Sequence, residues 1–263
     1  MPRFRLTLEY AGTKYSGWQI QKNARTIQGE LHRALRDVLG KTPFETYGSG
    51  RTDAGVHALA QIAHLDTAAT LPPATLVARV NDALPADINL LSAERVAPRF
   101  HARHSAVARS YLYQVSRRRT AFAKPYVWWV RDPLDLARMQ TAARALTGFA
   151  DFRAFTDDDP EEKSTTVLVT DLVVVEHGDL VLVRVAGSHF LWKMVRRIVG
   201  VLVEVGRGGL EPARVPELLS GDSDLPPKLT APASGLFLEQ VIYDADEQLG
   251  PVGPAVFGGV GAR

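Results

Sequence analysis

The sequence predicts an α+β protein whose sheet is largely antiparallel, and three observations lead there. "RFRLTLEY" near the start alternates Phe4, Leu6, Leu8 and Tyr10 with Arg3, Arg5, Thr7 and Glu9, the period of a half-buried strand. "TTVLVTDLVVVEHGDLVLVRVAG" (165–187) is one β-rich run broken at His177-Gly178, which reads as a hairpin. Helical stretches fall in both halves, but without the regular strand-helix alternation of a parallel doubly wound sheet.

Taken in order, the turn-rich "AGTKYSGWQIQKNA" follows the first strand. Ile27, Leu31, Ala34, Leu35 and Val38 then recur at helical spacing, and Gly40 closes that helix. A strand is expected through "HALAQIAHLD" (57–66), a proline-opened helix in "PPATLVARVNDAL" (72–84) and a strand in "INLLSAERV" (88–96). "ARSYLYQVS" (108–116) reads as a strand with Tyr111, Tyr113 and Val115 on one side, and Leu136, Met139, Ala142, Ala143 and Leu146 mark a helix. After the hairpin, a helix from Phe190 to about Gly206 buries Leu191, Val195, Ile198, Val199 and Leu202. Its other face carries Lys193, Arg196 and Arg197. "GLFLEQVIY" (235–243) supplies a late strand. These elements divide into halves 1–104 and 105–246, followed by a Gly/Pro-rich tail, 247–263, with little to fold with.

Composition narrows the function classes. No apolar run spans a bilayer and the start lacks the apolar core of a signal peptide, so a cytoplasmic protein is expected. Cysteine is absent, which excludes disulfides, thiol nucleophiles and thiolate metal sites. The net charge of +2 says little, but its distribution says more. From Arg95 to Arg131 there is no Asp or Glu against eight arginines and a lysine, and acid collects in "DDDPEE" (157–162). Such asymmetry fits a face turned to a polyanion, or a solvated basic surface.

The loop "GSGRTDAGVH" (48–57) places Arg51, Asp53 and His57 among three glycines. It lacks the Gly-Lys-Ser/Thr ending of a phosphate-cradling loop, and a strand, not a helix, follows it. Asp53, His57 and His64 offer no known metal-ligand spacing, and Ser49 lacks a His-Asp pattern. What remains is a carboxylate beside a guanidinium on a loop that permits close approach. An ionised, positioned Asp53 can be a nucleophile, a base or a stabiliser of a developing cation. Equally, it can cap a turn with a surface Arg-Asp bridge. A glycosidase would want a second carboxylate, and no partner to Asp53 stands out.

Five stretches in order resemble the tRNA pseudouridine synthase A family, from near the N-terminus to about Tyr243. They are "EYAGTKYSGWQIQ" with "TIQGELHRAL", "GSGRTDAGVHALAQ", "FHARHSAVARSYLYQV", "HFLWKMVRRIVG" and "TAPASGLFL". The resemblance implies two ferredoxin-like halves forming one largely antiparallel sheet flanked by helices, with the cleft between them. It implies a homodimer without cofactor or metal that isomerises uridine to pseudouridine on the 3′ side of the tRNA anticodon stem-loop. Asp53 falls at the catalytic aspartate, Tyr111 at the active-site tyrosine and Arg196 at the active-site arginine, which would pair with Asp53. Arg51, Arg103, Arg109 and Lys193 are then expected to contact the RNA. His57, His64, Trp18 and Trp192 are expected to be core or supporting residues. The pattern is departed from at His104, at Ser188-His189 and in the acidic "RAFTDDDPEEKSTT". The alternative is a non-catalytic tRNA-binding protein or chaperone of the same fold, which would have little need for Asp53, Tyr111 and Arg196 together.

Overall fold

The computed structural model describes residues 1–162, 164–220 and 223–256. The protein is α+β, with a mostly antiparallel sheet flanked by helices in each of two compact units. One unit comprises 1–107 and 238–247, and the other the described residues of 108–237 and 248–256. Residues 238–247 thus return to the first unit, which a linear division at 104/105 does not anticipate.

In the first unit, β1 (Arg3–Tyr10) is the centre of an antiparallel set, paired with β3 (His57–Thr67) and with β4 (Ile88–Val96). The alternation of β1 is realised: Phe4, Leu6, Leu8 and Tyr10 are buried, while Arg3, Arg5 and Thr7 are half-buried and Glu9 is exposed. β2 (Phe44–Gly48), which the sequence reading passes over, pairs with the far end of β3, Tyr47 opposite His64 and Gly48 opposite Ala63. Two helices, α1 (Ile27–Leu39) and α2 (Pro73–Ala83), pack together. The Thr26 hydroxyl accepts from Gly29 N at 3.2 Å to cap α1, and Gly40, at φ 60°, ends it. Burying the α1 stripe Ile27, Leu31, Ala34 and Leu35 contributes on the order of 1.5–3 kcal/mol per large side chain.

In the second unit, β5 (Ala108–Ser116) pairs antiparallel with β9 (Leu180–Gly187), and β9 forms the expected hairpin with β8 (Thr166–His177). Gly178, at φ 57°, sits in its turn. β7 (Gly148–Asp151) extends the antiparallel ladder, and the two-residue β6 (Trp128–Trp129) adds a short parallel pairing to β5. Helix α3 (Leu136–Ala145), capped by the Asp135 carboxylate, packs on β8 and on α4 (Met194–Gly206).

Two expectations for α4 are corrected. The helix starts at Met194, not Phe190, because Lys193 adopts φ 63°, a left-handed conformation that interrupts a helix. Arg197 does not face solvent: it is 3% exposed, held in the interior by an ion pair described below. Of the tail, 257–263 lies outside the described residues. Residues 248–256 are tied to the second unit: buried Arg184 donates to the Gly250 carbonyl at 2.6 Å, and Ala255 N donates to Gln114 Oε1 at 2.8 Å. The last strand, β10 (Leu236–Ile242), lies where it was expected. Among the described residues no helix is long and apolar enough to cross a membrane.

Candidate active site

The first unit builds a rigid seat for Asp53. Asp53 is half-buried and opens a turn, its carbonyl accepting from Val56 N at 3.1 Å, with Gly55 at φ 78°. The segment between β1 and α1 grips that turn. Trp18 N donates to the Thr52 carbonyl at 3.1 Å, Gly55 N to the Tyr15 carbonyl at 3.3 Å, and Gly12 N to His57 Nδ1 at 3.0 Å. Side chains add to it: the Tyr10 and Thr52 hydroxyls bond at 2.9 Å, and Ser49 Oγ donates to Gln61 Oε1 at 2.7 Å. Gln61 Nε2 then donates to the Gly50 carbonyl at 3.2 Å. Gln61 is fully buried and was missed by the sequence reading. A polar residue between the apolar neighbours Ala60 and Ile62 was its only signal.

Close approach explains part of the glycine content. A Cβ on Gly48 would lie 2.6 Å from the Trp18 indole nitrogen, and one on Gly17 would lie 2.4 Å from the Thr52 carbonyl oxygen. Gly50 differs, since a Cβ there meets nothing within 4 Å and its φ is not positive. Trp18, His57 and His64 are each about 1% exposed, as expected for supporting residues, whereas Trp192 is half exposed. Arg51 and Arg103 are exposed.

In the second unit, Tyr111 is half-buried in β5 and meets Phe190 edge-on at 5.1 Å. Arg109, two residues earlier, donates to the Ser188 carbonyl at 3.1 Å. Arg196 lies in the first turn of α4, where its Nε donates to the Ala231 carbonyl at 2.7 Å and its own carbonyl accepts from Ala231 N at 3.1 Å. Nearby Tyr113 is buried, donates to the Pro232 carbonyl at 2.7 Å and has its pKa raised by burial, the Arg196 charge opposing. Lys193 donates to Asp157 at 2.6 Å and its ammonium lies 4.6 Å from the Trp192 ring centre.

The basic stretch 95–131 is less bare than its sequence suggests. Arg117 pairs with Glu176, Arg118 pairs with Asp179 at 2.9 Å, and Arg119 lies 5.8 Å over Trp129. Arg99, Lys124 and Arg131 are exposed. No group of three or more His, Asp or Glu among the described residues could hold a metal ion.

The first unit thus holds a turn-fixed carboxylate, and the second carries a tyrosine on its first strand and an arginine on its last long helix. The tRNA pseudouridine synthase family profile matches residues 7–105 and 142–244, and the chain belongs to that family. Among individual relatives it is similar to proteins named tRNA pseudouridine synthase A. That of Syntrophotalea carbinolica is 43% identical over 241 residues, covering 91% of this chain and 95% of the relative. That of Pelobacter propionicus is 40% identical over 245 residues, 92% of this chain and all of the relative. The Methylococcus capsulatus protein is 40% identical over 257 residues, 97% and 94% of the two chains.

Proposed function

We propose that the protein isomerises uridine to pseudouridine in tRNA, with Asp53 as the catalytic carboxylate. The observation that carries this is the Asp53 turn, fixed from both flanks by the 10–18 segment, because a carboxylate held before substrate arrives needs no costly reorganisation. The reaction breaks the C1′–N1 bond, turns the freed uracil and forms C1′–C5. The C5 proton is then lost and N1 gains one, so the product is an isomer. Ribose is electron-poor once N1 departs, and Asp53 answers that deficiency by attack on the sugar, by attack on the pyrimidine or by removing a ribose proton.

Tyr111 is assigned two roles, stacking on the uracil and taking part in removal of the C5 proton. Arg196 supplies a planar cation to the reaction. A base inside a stem must leave its stack at a cost of a few kcal/mol. Phosphate contacts from Arg51, Arg103 and Arg109 offset that cost without reading sequence. Lys193 already directs its charge to Asp157 and is left out of this set.

The finer assignments, the 3′ side of the anticodon stem-loop and a homodimer, rest on the resemblance of the motifs, and a cytoplasmic location rests on the composition. The test is to incubate the purified protein with unmodified tRNA transcripts and map pseudouridine by position. Product confined to the 3′ side of the anticodon arm is expected. RNA binding without any isomerised uridine would favour the non-catalytic alternative.

A further inference from the structure

The acidic loop 157–162 holds the start of α4 at two adjacent points. Asp157 accepts from Lys193 Nζ at 2.6 Å through one oxygen and pairs through the other with Arg197 Nη2. Asp158, the next residue, accepts from the backbone amide of Trp192 at 2.9 Å. The loop is itself anchored at its base: Phe152 N donates to the Thr165 carbonyl at 2.9 Å, and Phe152 and Phe155 are fully buried. Two successive carboxylates therefore reach across more than thirty residues to grip 192, 193 and 197, on either side of Arg196.

That grip opposes two local costs. Lys193 is the described non-glycine residue with positive φ, a conformation that is unfavourable for a side chain with a Cβ and persists only where its surroundings enforce it. Arg197 is 3% exposed, and its Nε and Nη1 meet no acceptor among the described residues. Asp157 is the counter-charge that makes its burial tolerable. The two cations hold the Asp157 carboxyl below the usual carboxylate range, so the bridge is charged at neutral pH.

We infer that Asp157 is a positioning residue for the reaction: by bridging Lys193 and Arg197 it fixes the first turn of α4, and so the direction in which Arg196 presents its guanidinium. This rests on the role proposed for Arg196. The geometry suits it, since Arg196 lies between the two bridged residues, and its Nε bond to the Ala231 carbonyl steadies the guanidinium from another segment. The sequence supplies both partners of the bridge: acid at 157–158, and Lys193 and Arg197 on the element it grips.

The test is a double-mutant cycle in single-turnover rate and tRNA affinity, using Asp157→Asn, Arg196→Lys and the two together. The inference expects Asp157→Asn to slow turnover about tenfold or more with affinity within about twofold. It expects the double variant to be no slower than the slower single variant, and Asp157→Glu to recover most of the rate. Multiplicative effects, or a wild-type rate in Asp157→Asn beside a slow Arg196→Lys, would overturn the positioning role alone. Wild-type rates in both single variants would overturn the role of Arg196 with it. Tighter tRNA binding by Asp157→Asn at an unchanged rate would mean that the carboxylate only occupies an anion site, and would also overturn the inference. If Asp157→Asn does not fold, Asp157→Asn combined with Arg197→Leu removes both buried charges. That variant, folded and slow, supports the inference, and folded at full rate it contradicts it.

Discussion

The indole nitrogen of Trp18 lies against the α-carbon of Gly48, so close that a Cβ at 48 would sit 2.6 Å from it. Trp18 is 1% exposed and its own amide holds Thr52, one residue before Asp53. The same tryptophan therefore packs against one end of the loop and bonds to its middle.

Gly48→Ala is expected to destabilise the protein by about 1–3 kcal/mol, because a buried indole cannot move aside freely. Gly50→Ala is expected to change stability by less than about 0.5 kcal/mol, since the added methyl meets nothing. Thermal unfolding of the two variants side by side checks the contrast, and equal losses would contradict it.

Tyr111→Phe is expected to keep the edge-on contact with Phe190 while lowering turnover by about 10²-fold, the scale of a lost proton-transfer group. Single-turnover kinetics on tRNA decides it. An unchanged rate would leave Tyr111 with stacking alone.

Stability is expected to fall on mild acidification through His64. Burial, aided by the charges of Arg3 and His101, pushes its imidazole from the ordinary 6.5 down to about 4. Between those values the unfolded chain binds the proton and the native protein does not, so stability is lost as pH falls through that window. Melting temperatures at pH 7 and pH 5 should differ less in His64→Gln than in the parent protein. An equal difference would assign the acid sensitivity elsewhere.

Arg51→Ala and Arg103→Ala are each expected to weaken tRNA binding and to reduce the slope of log affinity against log salt by about one. Affinity titrations over a range of salt concentrations measure it. Unchanged slopes would remove these residues from the RNA contact.

Much of the fold was legible because burial writes a period into the chain. The alternation in β1 and the helical stripe of α1, closed by Gly40, are local signals. β2 was not legible: "FETYG" is short and half exposed, and its place is set by pairing with β3. The apolar run 190–192 imitates a helix, and only the distant Asp157 and Asp158 reveal why the chain turns before Met194. By period alone Arg197 belonged to the wet face, since an ion pair across forty residues leaves no trace in spacing. For the site, the glycine loop pointed to Asp53, but Gln61 and Tyr10, which brace it, read as ordinary strand residues.

Asp53→Asn tests the central claim most directly, because it removes one negative charge at nearly constant shape. Turnover and affinity should be measured on the same unmodified tRNA. Loss of turnover by about 10³-fold or more, with tRNA bound within a few fold of the parent protein, is the result the proposed chemistry requires. Turnover retained within about tenfold would contradict it and return Asp53 to a structural turn.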